Sequence, residues 1–240
     1  MSALLMPSPV STPPPKFVPK PLKWTCEQFH NMGDAGVLEG HPVMLIDGVI
    51  LDKSDTKPHR WTCQEFHDLG DTIALEGHSV ILVDGEILDM PNPNPPHNGV
   101  VGILEMVLRI YFGAGHWVRG QSSFSTTLNT DPIPDIAVVT GSPRDYLQRD
   151  PTSALLIVEV SDSSLTYDIG EKSNLYAAAG ITDYWVVNVK EPRLYVFRDP
   201  VADPSAPRGF RYNTVQTLKR GDTITPLAGS TPIAVAELLP

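Results

Sequence analysis

The sequence ALLIVEV at residues 154–160 is a near-continuous apolar run that one charged residue, Glu159, interrupts. Runs of this kind are typical of strands that are buried on both faces of a sheet. Earlier in the chain, PDIAVV at 134–139 predicts another short strand, with Asp135 at its beginning. If the two strands are antiparallel neighbours, the start of one lies beside the end of the other. We therefore expect Asp135 and Glu159 to lie side by side.

Two neighbouring carboxylates need a chemical reason to be buried, because ionised carboxylates are costly in apolar surroundings. Such a pair either shares a proton or binds a hard cation such as Mg²⁺. Backbone donors to a single buried carboxylate explain Glu159 equally well at this point. Lys172 follows Asp168 by one helical turn and favours the metal-site interpretation, since a lysine can position a metal-bound water or stabilise a pentavalent phosphate. A solvated lysine on an exposed face is the alternative.

The rest of the C-terminal sequence alternates between helical and extended patterns. A helix is predicted over residues 98–111, and extended segments follow it at 114–127. Asp168 and Glu171 have capping-box spacing, which predicts that a second helix begins there and continues to Ala179. Further strands are predicted at residues 184–189, 194–198 and 208–217, and a loop at 144–153. This order of elements predicts a mixed α/β domain.

Residues 24–52 and 61–89 form an internal repeat with an offset of 37, and 18 of the 29 aligned pairs are identical. Each copy begins with a capping box, which predicts a short helix. A hairpin follows in each copy, with an Asp-Gly turn between two alternating segments. Each copy also contains Cys-x₃-His and a later histidine, so zinc is one interpretation, although a closed zinc site needs four ligands. Buried cysteines and ordinary helix histidines are the other. These residues are Cys26, His30, His41, Cys63, His67 and His78.

The motifs of residues 61–200 resemble the Uma-type putative restriction endonuclease family of the PD-(D/E)XK nuclease superfamily. Pro134-Asp135 and Glu159 match the first two superfamily elements. The stretch LLIVEVSDSSLTYDIGEKSNLYAAAGITDYWVVN at 155–188 is similar to the Uma-type family more specifically, as are VDGEIL at 83–88 and His97 after a proline-rich loop. Ser161 stands where the superfamily has its strand lysine. In the Uma-type family a lysine in the following helix is the usual substitute, and Lys172 occupies that position.

The resemblance implies a restriction-endonuclease-like α/β core, a mixed β-sheet flanked by helices, preceded here by the duplicated helix–hairpin element. It implies hydrolysis of DNA phosphodiester bonds with Mg²⁺, for which Mn²⁺ is a possible substitute, and a homodimer. Asp135, Glu159 and Glu86 would bind the metal, and Lys172 would orient water or stabilise the transition state. Two assignments stay open. Glu86 is alternatively an exposed strand residue, and His97 would contact a phosphate, order Glu86 or cap a helix. A nuclease fold that serves as a nucleic-acid-binding or protein-interaction module is the competing hypothesis, and RNA or branched DNA is a third.

The composition is that of a globular protein of 240 residues, with 41% hydrophobic and 19% charged side chains. The net charge of −10 argues against nucleic acid, but residues 23–96 carry −9 of it and residues 97–240 only −3. Two cysteines do not build a disulfide framework, and no apolar run has the length of a membrane span. We therefore expect a cytoplasmic protein with no membrane association.

Three regions are predicted from these patterns. Residues 1–22 contain seven of the 24 prolines and predict an extended, flexible tail. Residues 23–59 would form the first repeat copy, a degenerate helix–hairpin. Residues 60–240 would form the nuclease-like domain, including the second copy.

Overall fold

The computed structural model describes residues 17–240, and the predicted tail at 1–16 lies outside them. The remaining residues of that predicted tail, 17–22, lie within the described part of the chain. Lys20–Pro21 forms a short edge strand, β1, and Leu22 is buried. A proline is tolerated there because an edge strand has one side on which no backbone N–H is needed.

The two repeat segments each fold into a helix and a hairpin, as their sequences predict. Each helix begins with the expected capping box, at Thr25 and at Thr62. In each hairpin the Asp-Gly pair has positive φ at both residues, as a type I′ turn requires. The first segment contains α1 (Cys26–Asp34), β2 (Val43–Ile46) and β3 (Val49–Asp52); the second contains α2 (Cys63–Gly70), β4 (Val80–Val83) and β5 (Glu86–Asp89).

The two segments share one hydrophobic core, to which each contributes equivalent residues. Trp24 and Trp61 are both buried, and their ring centroids lie 6.1 Å apart. Met32 and Leu69 are completely buried in the same cluster. β5 also pairs with β1, so that the order of this small sheet is β1-β5-β4. The first segment therefore packs on the second and not on a separate core of its own.

The main domain is a six-stranded mixed sheet with helices on both faces. Its strand order is β11-β10-β9-β8-β7-β6, and all neighbours are antiparallel except β8 and β9, which are parallel. The elements are α3 (Pro95–Phe112), β6 (His116–Gly120), β7 (Ile136–Thr140), β8 (Leu156–Ser161), α4 (Leu165–Tyr167), α5 (Ser173–Ala178), β9 (Asp183–Asn188), β10 (Arg193–Ala202) and β11 (Phe210–Leu218), with a final pair β12 (Thr223–Ile224) and β13 (Ile233–Ala234). The mixed α/β prediction is confirmed.

Alternation along β8 divides its side chains between two cores. Val158 and Val160 pack with Leu104 and Leu108 of α3 on one face. Ile157 packs on the opposite face, in the cluster that contains residues of α5. Because side chains alternate along a strand, Glu159 and Ser161 lie on the α5 face with Ile157.

The helical segment between β8 and β9 differs from its prediction. It begins at Leu165, before Asp168, and a π-helical turn (Asp168–Lys172) connects α4 to α5. Asp168 is therefore inside the helical segment and does not cap it. Its carboxylate accepts a hydrogen bond from the Ser164 hydroxyl at 2.5 Å. The Asp-x-x-Glu pattern at residues 168–171 therefore has the spacing of a capping box without being one.

Candidate functional site

A cleft of about 320 Å³ opens where β7 begins and β8 ends. The loop before α3 forms one wall, and the π-helical turn forms another. Its titratable lining residues include His97, Asp135, Glu159, Asp168 and Lys172. The structure thus brings together three of the four site residues that the sequence predicts.

Asp135 lies directly before β7, where the β7–β8 ladder ends. β7 and β8 are antiparallel with Ile136 opposite Val158, which is the condition under which the sequence predicts that Asp135 and Glu159 are neighbours. The Asp135 carboxylate accepts a hydrogen bond from the Val160 backbone N–H at 2.7 Å and so satisfies a donor beyond the end of β7. Asp135 Oδ2 also lies 3.2 Å from His97 Nε2. Burial raises the pKa of Asp135, but His97, Lys172 and the Val160 N–H outweigh it and hold that pKa below its usual range.

Glu159 is the most deeply buried acid of the cleft, with 1% of its surface exposed. Its Oε1 accepts a hydrogen bond from the Tyr176 hydroxyl at 2.8 Å, and its Oε2 lies 2.8 Å from Lys172 Nζ. Burial raises the pKa of Glu159 to about 8; the charge of Lys172 opposes this shift, and those of Asp135 and Asp168 add to it. A bound cation would favour the ionised carboxylate, because opposite charge stabilises the charged form.

Lys172 reaches the cleft from the helical segment and is itself buried. Its Nζ lies 3.4 Å from Asp168 Oδ1, in addition to its contact with Glu159. Burial lowers the pKa of Lys172, but the carboxylates of Glu159, Asp168 and Asp135 raise it above its usual value. The lysine therefore remains charged. Ser161, at the position of the superfamily's strand lysine, is completely buried and its hydroxyl lies 3.5 Å from that of Ser164.

The donor chemistry of the cleft fits a hard divalent cation. Asp135, Glu159 and Asp168 contribute three buried carboxylates, against which stand the charge of Lys172 and the imidazole of His97. Each carboxylate has about four lone-pair positions, so the hydrogen bonds described above leave capacity for a metal. Oxygen donors of this kind are those that Mg²⁺ prefers.

Glu86, the remaining predicted ligand, is not brought to this cleft. It lies at the start of β5, and its Oε1 pairs with Arg60 Nη1 at 2.8 Å. It lines a second cavity together with Tyr167 and Arg208. The position of the β4–β5 hairpin directs this carboxylate to the second cavity, where Arg60 supplies its counter-charge. The prediction that Glu86 completes the Asp135–Glu159 pair does not agree with this geometry.

Two further residues support the cleft, and their sequence signals are weak. Tyr176 is a completely buried core residue, and its hydroxyl donates a hydrogen bond to Glu159. Asp168 was expected only as a helix cap. Its separation from Lys172 by four residues could have indicated a pair on one helical face.

The cysteines and histidines of the repeat do not converge as one zinc site. Cys26 is exposed, and Cys63 Sγ contacts the Thr127 carbonyl at 3.2 Å. His67 Nε2 lies 2.6 Å from Asp131 Oδ2. In the second copy, the Cys-x₃-His pair therefore takes part in hydrogen bonds with residues 127 and 131.

The fold and the cleft define the class of protein. A mixed sheet with two carboxylates on adjacent strands, and a lysine from the helical segment between β8 and β9, is a restriction-endonuclease-like α/β arrangement. A family model described as "Uma2: Putative restriction endonuclease" matches residues 63–231. The chain belongs to the Uma2 family.

The comparison of structures gives the same fold. The crystal structure of a putative nuclease belonging to DUF820 from Anabaena variabilis ATCC 29413 is similar with a TM-score of 0.53 and 17% sequence identity. The match covers 74% of this chain and 97% of that chain. No curated protein matches the sequence. None of the helices described in residues 17–240 is long and apolar enough to cross a membrane.

Proposed function

We propose that this protein is a metal-dependent endonuclease that hydrolyses DNA phosphodiester bonds in the cleft of Asp135, Glu159 and Lys172. One observation carries the proposal: two carboxylates from adjacent strands and a charged lysine share one cleft. Asp135 and Glu159 would hold Mg²⁺, or Mn²⁺ in its place. The metal would lower the pKa of a bound water and neutralise charge on the phosphate.

The side chains of the cleft have distinct roles in this proposal. Lys172 would orient the attacking water or stabilise the charge that develops on the phosphate. Tyr176 and the lysine hold the two oxygens of Glu159 in place, and Val160 N–H does the same for Asp135. His97 is beside Asp135, whose charge raises the pKa of the imidazole against the effect of burial. A protonated His97 would supply a phosphate contact.

The test is cleavage of supercoiled plasmid at low salt during a titration with Mg²⁺ or Mn²⁺. We expect nicking by the wild type, none by Glu159→Gln, and a loss of about 10²-fold or more in Lys172→Met. Glu86→Gln is the matched control, since its carboxylate lies outside the cleft, and we expect it to cut like the wild type. Cutting by Lys172→Met at the wild-type rate would contradict the role of the lysine.

Calorimetry with Mg²⁺ distinguishes the competing outcomes. Binding that depends on Glu159, without cutting of DNA, would overturn the DNA substrate, and single-stranded RNA or branched DNA would be tried in its place. Neither binding nor cutting would favour a protein-interaction module on a nuclease fold. Light scattering of the same preparation tests the proposed homodimer, which would present two clefts to a duplex.

A further inference from the structure

A second cluster of titratable side chains lies outside the cleft, between the two repeat segments. It consists of His41 from the first segment, His59 from the connection, and Glu65 from α2. One ligand atom of each residue lies within 4.8 Å of those of the other two. His41 Nε2 lies 2.9 Å from Glu65 Oε1, and His59 Nε2 lies 3.8 Å from the same oxygen.

His59 is held as a metal-binding histidine would be. Its side chain is 6% exposed, and its Nδ1 lies 2.8 Å from Asp52 Oδ1. A carboxylate at Nδ1 places the proton on that nitrogen and leaves the Nε2 lone pair for a ligand. Within residues 17–240, this buried Nε2 has no hydrogen-bond partner. A buried polar atom without a partner carries a desolvation cost, which a metal ion would remove.

Glu65 divides its two oxygens between two tasks. Oε2 accepts the Thr62 backbone N–H and the Thr62 hydroxyl, both at 2.7 Å, and so completes the capping box of α2. Oε1 faces the two histidines. Ligand atoms around a tetrahedral Zn²⁺ lie about 3.3 Å apart, given its bond lengths of about 2.0–2.1 Å. The separations of 2.9 and 3.8 Å at Glu65 Oε1 lie on either side of that value.

The repeat provides a comparison for this cluster, because residues whose numbers differ by 37 are equivalent in the two segments. The equivalents of the three cluster residues lie together at a second place between the segments, which we call the corresponding position. The two places share one backbone hydrogen bond. His59 N–H donates to the Ile50 carbonyl at 2.9 Å in the cluster, and Leu22 N–H donates to the Ile87 carbonyl at 2.8 Å at the corresponding position. The corresponding side chains are His78 for His41, Gln28 for Glu65, and Leu22 for His59.

The corresponding position lacks the second histidine and the carboxylate of the cluster. Gln28 Nε2 lies 3.4 Å from His78 Nε2, so one histidine and a neutral amide meet there. Gln28 still completes its capping box. A glutamate is thus not required for the helix cap. The arrangement of two imidazoles and a carboxylate occurs on one side only.

We propose that His41, His59 and Glu65 form a Zn²⁺ site that connects the two repeat segments. Two nitrogens and one oxygen are a donor set that suits zinc better than Mg²⁺, which prefers oxygen alone. His41 is 39% exposed at its side chain, so solvent reaches the site and a water can complete the coordination. The ion would join residues from both segments and stabilise their packing through binding to the native state only.

The test is competition between the full-length protein and a chromophoric chelator for Zn²⁺, with excess Mg²⁺ present to occupy the oxygen-rich cleft. We expect one zinc ion per wild-type chain and loss of that ion in His59→Leu and Glu65→Gln, which introduce the residues of the corresponding position. Asp52→Asn should weaken binding by about 10–100-fold, because Asp52 orients His59. Zinc should also raise the unfolding temperature of the wild type and not that of His59→Leu or Glu65→Gln.

His78→Gln is the matched control and should bind zinc like the wild type. His41→Gln changes a more exposed side chain and guards against a folding defect in His59→Leu. The proposal is overturned if the wild type binds no zinc, or if the cluster variants bind it as the wild type does. Glu159→Gln should keep this zinc ion, so that the outcome is independent of nuclease activity.

Discussion

Lys172 shows how one residue can balance a buried acidic cluster. It contacts Glu159 and Asp168, both of which are almost fully buried. Removing a buried charge partner is expensive, because it leaves the remaining charge unpaired in a low-dielectric environment. The same lysine is therefore expected to support both the stability of the cleft and its chemistry, and the two contributions need separate measurements.

Replacement of Lys172 should lower cleavage and change proton binding in the cleft. In Lys172→Met, we expect a loss of cleavage of about 10²-fold or more, the scale for one electrostatic group at a transition state. Glu159 should also bind its proton more tightly, since the charge that opposes its raised pKa is absent. Single-turnover cleavage and proton release on Mg²⁺ binding measure the two effects. Unchanged cleavage would show that the lysine is structural.

His97 should make stability depend on pH in a defined direction. The pKa of His97 is raised by Asp135 in spite of burial, so its contribution is complete below the unfolded value of about 6.5 and disappears as pH rises through the folded value. The pKa of Asp135 is lowered, so its contribution disappears only as pH falls through that lowered value. In EDTA, His97→Gln should cost about 1 kcal/mol near pH 5 and less at pH 8.

Urea unfolding of the wild type and of His97→Gln across this pH range measures the difference. A cost that stays constant with pH would show that His97 contributes packing and not charge. His116→Gln provides a control, because His116 Nδ1 contacts the Phe112 carbonyl and no carboxylate.

At the level of elements, α1 and α2 begin with equivalent capping boxes that have different neighbours. Both helices are short, so their ends contribute a large share of their backbone hydrogen-bonding groups. Thr25 and Thr62 each accept the N–H of the residue three positions later. The glutamate of the second box also takes part in the proposed zinc site, whereas the glutamine of the first does not.

Removal of either cap should destabilise the protein to a similar extent. We expect Thr25→Ala and Thr62→Ala each to lower the free energy of unfolding by about 1 kcal/mol. Thr62→Ser should keep most of that stability, because its hydroxyl can make the same hydrogen bonds. Denaturant titrations in EDTA measure all three, and a serine variant as unstable as the alanine variant would contradict the capping explanation.

At the level of the whole molecule, the first repeat segment is joined to the second by a common core. Trp24 and Met32 pack with Trp61 and Leu69, although the family match begins only at residue 63. The first repeat segment, at residues 24–52, is therefore not an independent appendage. Cooperative unfolding of this shared core is expected, since neither segment buries its apolar face without the other.

Trp24→Ala tests this shared core. We expect it to lower the free energy of unfolding by about 3–5 kcal/mol, the usual cost of removing a large buried side chain. Leu128→Ala, at a residue that is 88% exposed, should change it by no more than about 0.5 kcal/mol. Urea unfolding followed by circular dichroism compares the two. Equal stabilities would show that the first segment folds apart from the rest.

Most local elements can be predicted from the amino-acid sequence, and one long-range contact can be predicted on a condition. The apolar runs around Ile136 and Val158 predict the central strands, and Asp135 lies beside Glu159 provided that these strands are antiparallel neighbours, as the structure has them. The capping boxes and the Asp-Gly turns were predicted correctly because their hydrogen bonds join residues a few positions apart. Patterns of this range depend little on the rest of the chain.

Which distant side chains share a site depends on the tertiary structure. In the folded chain Glu86 pairs with Arg60, and Asp168 lies inside the helical segment beside Lys172. The tertiary structure also brings His59 and Glu65 to His41, across the boundary between the repeat segments. The position of a side chain in a site depends on how whole elements pack and not on spacing along the chain. Contacts between residues far apart in sequence are therefore fixed only when the shared core forms.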